Sequence, residues 1–524
     1  MKTQNRREFL MTGTAGLMTL AVFRDANGEM TPVTDGGPYP ELIEATITEL
    51  QAKMRSGKLT ARRLTEMYLE RIKLLDQKTN SVIELNPDAL AIADGMDKER
   101  KKGKVRGPMH GIPILIKDNI DTADKMKTTA GSLAMVDAPK PRQDAFVAAQ
   151  LRKAGAIIIG KANLSEWANF RGNRSISGWS GRGGQTNSPY FLDQNPCGSS
   201  SGSGVSVSAN LCAAAVGTET NGSIICPAVA NGVVGLKPTL GLISRSGIIP
   251  IAHTQDTAGP MTRTVADAAI MLGAMAGPDK QDAITAEAAK KGSNDYAKFL
   301  DANGLKGARL GLVAFPPRQN ADQFTAFYKP FIDKLREAGA TLVEVVFPNY
   351  APTQADRLAV LQYEFKNDLN KYLAARGGKY KTLEDLIKFN EANKEKEMPL
   401  FGQELFIESQ KKGDLTDKTY LDALARIKRS TQTDGIDAVL AKDSLDALVG
   451  PTTGQAWAIA AVAGYPSITV PVGLRDNSPA GFFFFGRAWS EPTLIKYAFA
   501  FEQMTKGRVV PQLIPKKPQP PKAG

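Results

Sequence analysis

The chain has 524 residues, of which 42% are hydrophobic and 23% are charged, as is usual for a soluble protein with a large core. Its formal net charge is +12, but the basic residues are interleaved with acidic ones along the whole chain, which disfavours a nucleic-acid partner. The two histidines, His110 and His253, form no metal-binding motif with cysteines or carboxylates, so a zinc enzyme is disfavoured and no cofactor is expected.

The N-terminal residues 1–27 have the layout of a twin-arginine export signal. Arg6-Arg7 precede Phe9-Leu10 and a short, modestly apolar run that contains glycine and threonine. The run from Phe9 to Phe23 is too short and too polar for a membrane span, so we expect no stable membrane anchor. The alternative is an ordinary first helix with two arginines. An export signal predicts a periplasmic or secreted protein.

Two helices and a buried strand are predicted next. Residues 40–77 have helical periodicity, with Thr60 as the N-cap of the second helix. The segment GIPILIKDNID at 111–121 is apolar on both faces until Lys117, which indicates a buried strand with a lysine at its end.

Strands and helices then alternate along the chain. A helix over 143–153 leads into AIIIGKAN, and a later strand, helix and strand occupy 308–348. This order predicts an α/β fold with a largely parallel sheet covered by helices on both sides. Further strands are predicted at LDALVGPT, PSITVPVG and AGFFFFGR.

Three segments outside this pattern have their own composition. Residues 354–440 are rich in helix formers and charge, and they predict a helical insertion. The polar segment 277–295 is predicted to be a linker or an excursion into this insertion. The Pro- and Lys-rich tail at 509–524 is predicted to be disordered.

The Gly/Ser run PCGSSSGSG at 196–204 is the most unusual stretch of the chain. It continues directly into VSVSANLCAAAVG, which we interpret as a buried helix of small residues, so the run is not a flexible linker. It also lacks the spacing of a phosphate-binding loop. The cysteines Cys197, Cys212 and Cys226 fall in this region, and their odd number leaves one thiol unpaired. No disulfide framework is indicated.

Three motifs together resemble the amidase signature family: the lysine that ends GIPILIK, the Gly-Ser-Ser run, and the serine in GTETNGSIICPA at 217–228. The resemblance continues through 231–269 and returns in AVAGYPSITVPVG. Within the family, the chain looks most like bacterial peptide amidases, which remove the C-terminal carboxamide of peptides. The resemblance implies one amidase-signature domain over 39–508, with a mixed central sheet covered by helices on both faces (α/β/α).

The resemblance also implies a catalytic triad. Ser223 matches the family's nucleophile, Ser199 matches the bridging serine held by a cis peptide, and Lys117 matches the base. A serine hydroxyl is a weak nucleophile until a base removes its proton. Lys117 must be neutral to act as that base, which burial favours.

The neighbours of the triad are assigned in the same way. Ser200 is expected to hydrogen-bond to Lys117. The turn Thr220-Asn221-Gly222-Ser223 is expected to direct backbone N–H groups at the substrate carbonyl as an oxyanion hole. Gly222 permits the backbone angle that such a turn requires.

The chain departs from the family at several positions. Asn221 stands where most members have a second glycine, Glu219 where they have aspartate, and Ile225 where they have arginine. The chain is also shorter than the peptide amidases around Trp457, which we expect to open the mouth of the site.

These features predict an enzyme that hydrolyses a carboxamide through an acyl-enzyme, with the C-terminal amide of peptides as the expected substrate. Three alternatives remain. They are an exported amidase for small aliphatic or aryl amides, a glutaminase-type subunit of an amidotransferase, and a non-catalytic binding protein.

Overall fold

The computed structural model describes residues 22–24, 30–32, 37–313, 321–346 and 354–516. The chain divides into two compact units, Met1–Gly36 and Gly37–Gly524. In the first unit, β1 (Val22–Arg24) pairs antiparallel with β2 (Met30–Pro32). The rest of the predicted export signal over residues 1–27, including Arg6 and Arg7, lies outside the described residues.

The second unit is built on a mixed sheet of eleven strands. A separate small sheet pairs β6 (Trp179–Ser180) with β7 (Gly184–Gln185). The strands of the large sheet are β3 (Val82–Leu85), β4 (Pro113–Lys117), β5 (Ile157–Ala162), β8 (Ala214–Glu219), β9 (Val234–Lys237), β10 (Thr257–Thr262), β11 (Arg309–Val313), β12 (Thr341–Val345), β13 (Ala447–Pro451), β14 (Ser467–Arg475) and β15 (Ser478–Phe485). Their spatial order is β12-β11-β13-β15-β14-β9-β10-β8-β4-β5-β3.

Both parallel and antiparallel pairs occur in this sheet. Strand β4 lies parallel to β5 and β8, and β11 lies parallel to β12 and β13. The β8–β10, β9–β10, β9–β14, β14–β15, β13–β15 and β3–β5 pairs are antiparallel. The sheet is therefore mixed, as the family resemblance implies, and the α/β fold class is confirmed.

The described residues contain seventeen α-helices. They are α1 (Ile47–Arg55), α2 (Ala61–Thr79), α3 (Ala89–Lys101), α4 (Phe146–Lys153), α5 (Ser201–Ser208), α6 (Ile225–Ala230), α7 (Val265–Met275), α8 (Ala288–Lys291), α9 (Ala321–Glu337), α10 (Gln354–Arg376), α11 (Leu383–Ala392), α12 (Lys394–Glu397), α13 (Glu404–Gln410), α14 (Lys418–Thr431), α15 (Ala438–Lys442), α16 (Gly454–Ala463) and α17 (Glu491–Thr505). Among the described residues, no helix has the length and hydrophobicity needed to cross a bilayer.

The two helices predicted over 40–77 are α1 and α2. The Thr60 side chain accepts a hydrogen bond from the Arg63 backbone N–H, which confirms Thr60 as the N-cap of α2. Thr46 caps α1 in a capping box with Glu49. Both helices therefore begin where a threonine satisfies backbone N–H groups that would otherwise have no partner.

Strand β15 shows that helices cover both faces of the sheet. Its four phenylalanines are all buried, and successive side chains of a strand point to opposite faces. Phe482 and Phe484 pack in a cluster that contains Phe501 of α17, whereas Phe483 packs in a cluster that contains Ile459 of α16.

We predict one buried helix for the small-residue stretch after the Gly/Ser run, and this prediction is wrong. Helix α5 ends at Ser208, and strand β8 begins at Ala214. All six residues of β8 are buried, in the middle of the sheet between β4 and β10. A strand covered on both faces has no alternation of polar and apolar residues, so its sequence resembles that of a buried helix.

The helical segment predicted at 354–440 comprises α10 to α15. Phe365 and Leu369 of α10 share an apolar cluster with Ile249, Ile251 and Ala252, which precede β10. The segment therefore packs on the second unit as part of the same body. Its first helix lies against the loop that leads into β10.

The structure differs from the prediction in its disulfide and in its C-terminal tail. Cys197 and Cys226 form a disulfide, with their Cα atoms 5.9 Å apart, although no disulfide framework was expected. Folding brings the two cysteines together across 29 positions of sequence, and Cys212 remains free and buried. The tail predicted to be disordered over 509–524 is ordered in its first part, because the Leu513 N–H donates to Pro189 O at 2.9 Å and Leu513 is buried. Residues 517–524 lie outside the described residues.

The segment 277–295 is also more ordered than a linker. Asp282 is buried and forms an ion pair with Arg245, and Thr285 is fully buried. The polar composition of this segment reflects hydrogen bonds to the body of the protein. It does not mark a boundary between domains.

Candidate active site

A buried lysine lies at the centre of the candidate site. Lys117 ends β4 and is fully buried. Its Nζ lies 2.8 Å from Ser199 Oγ, 2.8 Å from Thr218 Oγ1 and 3.2 Å from Thr218 O. Burial lowers the pKa of Lys117 to about 7, against the opposing charges of Asp256 and Glu219. A lysine in this environment exchanges its proton near neutral pH.

Ser199 lies between the lysine and the N-terminus of α5. The Gly198–Ser199 peptide bond is cis, as the resemblance implies. Ser199 is fully buried, and its carbonyl accepts a hydrogen bond from the Ser165 N–H at 3.0 Å. The hydroxyl therefore contacts Lys117 from a backbone segment held by the surrounding structure.

The predicted hydrogen bond between Ser200 and Lys117 is not among those formed by the described residues. The Ser200 hydroxyl donates to Thr218 O at 3.0 Å and accepts from the Thr218 N–H at 3.1 Å. Ser200 thus satisfies both backbone groups of Thr218 at the end of β8. Its effect on the lysine passes through Thr218, whose hydroxyl touches Nζ.

Ser223 follows the tight turn predicted from the sequence. Gly222 has φ +82°, in the left-handed region that favours glycine. A Cβ atom at this position would also lie 2.4 Å from Trp457 Nε1, so no larger residue fits. The Ser200 N–H donates to Ser223 O at 3.2 Å, which joins the two serine segments.

Glu219 stabilises the end of this turn. Its Oε2 accepts hydrogen bonds from the Ile224 N–H at 2.8 Å and the Ile225 N–H at 3.1 Å, at the start of α6. A carboxylate at a helix N-terminus satisfies free backbone donors and complements the helix dipole. The glutamate therefore holds the turn without the arginine partner that most of the family has.

Asp256 is a buried site residue that the sequence reasoning missed. It accepts a hydrogen bond from the Thr220 hydroxyl at 2.5 Å and from the Ile251 and Ala252 N–H groups at 2.8 Å each. Burial raises the pKa of Asp256 to about 6. The available signal was its position in TQDTAGPM, inside the stretch 231–269 that carries the family resemblance.

Two cavities flank the turn. The first, which we call the acidic cavity, has a volume of about 350 Å³; its lining includes Asn119, Glu219, Thr220, His253, Asp256 and Asp368. The second, which we call the aromatic cavity, has a volume of about 380 Å³; its lining includes Tyr190, Phe191, Phe324, Tyr328, Cys226 and Trp457. Trp457 belongs to α16, so the shortened stretch of sequence forms a helix beside the turn.

A cluster of His253, Glu364 and Asp368 closes one side of the acidic cavity. His253 Nδ1 lies 2.7 Å from Asp368 Oδ2, and Glu364 Oε2 accepts from the Thr254 N–H and hydroxyl at 3.0 Å each. Among the described residues, this is the group that could hold a metal ion. Its ligand atoms already form hydrogen bonds, which attach the loop before β10 to α10.

The structure therefore places the predicted residues in one region. Lys117 and Ser199 are in direct contact, Ser223 lies on the adjoining segment, and Thr220, Asn221 and Gly222 form the turn that precedes it.

Known proteins resemble the chain over most of its length. The sequence profile of a family described as Amidase matches residues 63–458. A Schizosaccharomyces pombe protein named as an amidase is 40% identical over 536 aligned positions, which cover 94% of this chain and 91% of that protein.

Two crystal structures extend the likeness to the fold. The native peptide amidase of Stenotrophomonas maltophilia is 49% identical, with a TM-score of 0.86, over 89% of this chain and 98% of that one. A peptide amidase in complex with the competitive inhibitor chymostatin is 48% identical, with a TM-score of 0.87, over 90% of this chain and 100% of that one.

Proposed function

Because this chain belongs to the amidase family and is an amide hydrolase, we propose that it removes the terminal carboxamide of short peptides and releases ammonia. The observation that carries the proposal is the contact of 2.8 Å between the buried Lys117 Nζ and Ser199 Oγ. The likeness to peptide amidases supports the choice of substrate.

In the first half of the reaction, Ser223 Oγ attacks the carbonyl carbon of the substrate. Its proton passes to Ser199 Oγ while the proton of Ser199 passes to the neutral Lys117 Nζ. Backbone N–H groups of the turn stabilise the negative oxygen of the tetrahedral intermediate. The intermediate then collapses: the C–N bond breaks, and the same relay returns a proton to the departing nitrogen, which leaves as ammonia.

In the second half of the reaction, a water molecule hydrolyses the acyl-enzyme. The neutral lysine accepts a proton from the water through Ser199, and the hydroxide formed attacks the acyl ester on Ser223. The ester bond breaks, Ser223 recovers its proton, and the carboxylic acid is released. Because the base must be neutral, the rate falls as the pH drops through the pKa of Lys117, which lies at about 7.

Small aryl amides are a second candidate substrate class. The aromatic cavity lies beside the turn and offers Tyr190, Phe191 and Trp457 as packing partners for a ring. A peptide amide with an aromatic C-terminal residue would use the same surface.

We also propose that the enzyme acts outside the cytoplasm. The twin-arginine layout at Arg6-Arg7 supports this location. The Cys197–Cys226 disulfide supports it independently, because such bonds persist mainly in oxidising compartments.

Ammonia release by the purified single chain tests the proposed reaction. We expect release from a dipeptide amide and from a simple aryl amide, with internal peptide bonds left intact. Ser223→Ala should abolish release, whereas the matched control Ser56→Ala, at an exposed serine after α1, should not. A fluorophosphonate probe should label the wild type and the control but not Ser223→Ala.

Three outcomes would contradict the proposal. Cleavage of internal peptide bonds would indicate a protease. Activity on glutamine alone, and only with a partner protein, would indicate an amidotransferase subunit. Absence of both turnover and probe labelling would indicate a binding protein.

A further inference from the structure

The acidic cavity carries an excess of negative charge beside the candidate site. Its lining contains one arginine, Arg245, and one lysine, Lys371. Four lining residues are carboxylates: Glu219, Asp256, Asp282 and Asp368. Arg245 is already paired with Asp282. The charge left facing the cavity is therefore negative, although the whole chain has a net charge of +12.

Two buried oxygens at this cavity have no hydrogen-bond partner among the described residues. They are Asn119 Oδ1 and Glu219 Oε1, on residues that are 3% and 1% exposed. The second polar atom of each side chain has a partner. Asn119 Nδ2 donates to Thr218 Oγ1 at 3.0 Å, and Glu219 Oε2 accepts from the Ile224 N–H at 2.8 Å. A buried acceptor without a hydrogen-bond partner lowers the stability of the folded protein. A ligand that donates hydrogen bonds would therefore be favoured beside these oxygens.

One wall of the cavity carries a carboxylate in contact with a histidine. Asp368 lies on α10, and its carboxylate holds the His253 ring at 2.7 Å. The buried Glu364 lies 3.7 Å from the same ring nitrogen, so two carboxylates face one imidazole. With His253 protonated, the lining carboxylates Glu219, Asp256 and Asp368 still outnumber the cations His253 and Lys371, because Arg245 and Asp282 offset each other.

The cavity is also lined by residues that neighbour the reacting groups. Its lining includes Thr218, whose hydroxyl contacts Lys117 Nζ, and Thr220, which begins the turn to Ser223. Its volume of about 350 Å³ is near the small end of the range for ligand pockets. A group bound there would lie beside Thr220, three residues before Ser223.

We infer that the acidic cavity binds a primary ammonium group of the substrate, held by hydrogen bonds and by the charge of the surrounding carboxylates. This inference rests on the proposed amidase function and names its substrate class. The ammonium has two possible sources: the free amino terminus of a short amide, or the basic side chain of the C-terminal residue.

Two matched substrate pairs test the inference and distinguish the sources. The first pair is glycyl-phenylalanine amide and its N-acetyl form. The second is Nα-acetyl-lysine amide and Nα-acetyl-norleucine amide, of which only the lysine compound carries a side-chain ammonium. We expect kcat/KM to be about tenfold higher for the cationic member of at least one pair, since hydrogen bonds to charged groups are worth that much.

A variant and an inhibitor supply independent readouts. In the pair that shows the preference, Asp368→Asn should bring the ratio of kcat/KM for the cationic and neutral substrates close to one, by raising KM for the cationic substrate. Asp356→Asn, on the same helix but paired with Arg426, should keep the wild-type ratio. In the wild type, propylammonium should inhibit hydrolysis of N-acetyl-norleucine amide competitively, and 1-propanol should not.

The outcomes separate the two proposals. If both neutral substrates are hydrolysed with dependence on Ser223 but neither pair shows a cationic preference, the inference is wrong and the amidase function stands. Equal inhibition by propylammonium and propanol, or an unchanged ratio in Asp368→Asn, also overturns it. If no amide of either pair releases ammonia, the proposed function itself fails.

Discussion

Lys117 is a residue whose chemistry depends on where it is buried. In water its amine would be protonated at neutral pH. Among the described residues, its hydrogen-bond partners at the end of β4 are hydroxyl and carbonyl groups, and burial lowers its pKa to about 7. The charges of Asp256 and Glu219 oppose that shift. The balance leaves an amine that both accepts and returns a proton near neutral pH, which is what the proposed relay requires.

Replacing Lys117 by methionine is expected to stabilise the protein while it removes the base. Because the pKa is about 7 in the folded state and near 10.4 in the unfolded chain, the charged form is penalised by at most roughly 5 kcal/mol. The penalty is fully present below pH 7 and disappears as the pH rises toward about 10.4. We therefore expect Lys117→Met to unfold at a higher temperature than the wild type at pH 6, with a smaller gain at pH 9, measured by calorimetry.

The control for this experiment is Lys140→Met, at an exposed lysine, which should not alter the unfolding temperature at either pH. A Lys117→Met variant that is less stable than the wild type at pH 6 would contradict a destabilising buried lysine.

At the scale of elements, the site depends on how α5, β8 and α6 meet. The segment before α5 carries Ser199, and the turn between β8 and α6 carries Ser223. The Cys197–Cys226 disulfide connects these two segments, two residues before one serine and three residues after the other. The hydrogen bond from the Ser200 N–H to Ser223 O joins them again at 3.2 Å. The two serines are thus held by covalent and non-covalent links.

Reduction of this disulfide is expected to lower the free energy of unfolding. The bridge spans 29 positions, and the chain-entropy estimate for a loop of that length is about 3.6 kcal/mol. We expect dithiothreitol to shift the urea midpoint of the wild type downward and to leave the Cys197→Ser/Cys226→Ser double variant unchanged. Equal midpoints for the oxidised wild type and the double variant would show that the bridge adds no stability.

At the scale of the whole molecule, net charge and local charge have opposite signs. The chain has a net charge of +12, whereas carboxylates outnumber basic side chains in the lining of the acidic cavity. Helix α10 packs its apolar residues on the loop that precedes β10, which brings Asp368 to His253 at one wall of the cavity. The helical segment therefore contributes to the site as a wall, and the substrate preference inferred above depends on it.

Export is also a property of the whole chain, and it is tested by changing the arginine pair. Replacing Arg6-Arg7 by Lys-Lys should retain the protein in the cytoplasm, because the twin-arginine route recognises that pair. The matched control replaces Arg62-Arg63 of α2 by Lys-Lys and should leave location unchanged. Fractionation that finds the first variant outside the cytoplasm would remove the twin-arginine proposal.

Local sequence was sufficient to predict features that depend on neighbouring residues. Periodicity and a capping threonine predicted α2, and the apolar run before Lys117 predicted β4. The turn at Gly222 was predicted because a glycine there tolerates a backbone angle that other residues avoid. The three family motifs also indicated that Lys117 and Ser199 would lie together.

Only the tertiary structure decided the features that depend on distant residues. Strand β8 has the composition of a buried helix, and its pairing with β4 and β10 determines that it is extended. The partner of Ser200 is a backbone group of Thr218, which no local pattern specifies. The Cys197–Cys226 bond, the burial of Asp256 and the approach of Asp368 to His253 join residues far apart in the sequence. Such contacts arise from packing, and a single sequence carries no direct record of which distant side chains meet.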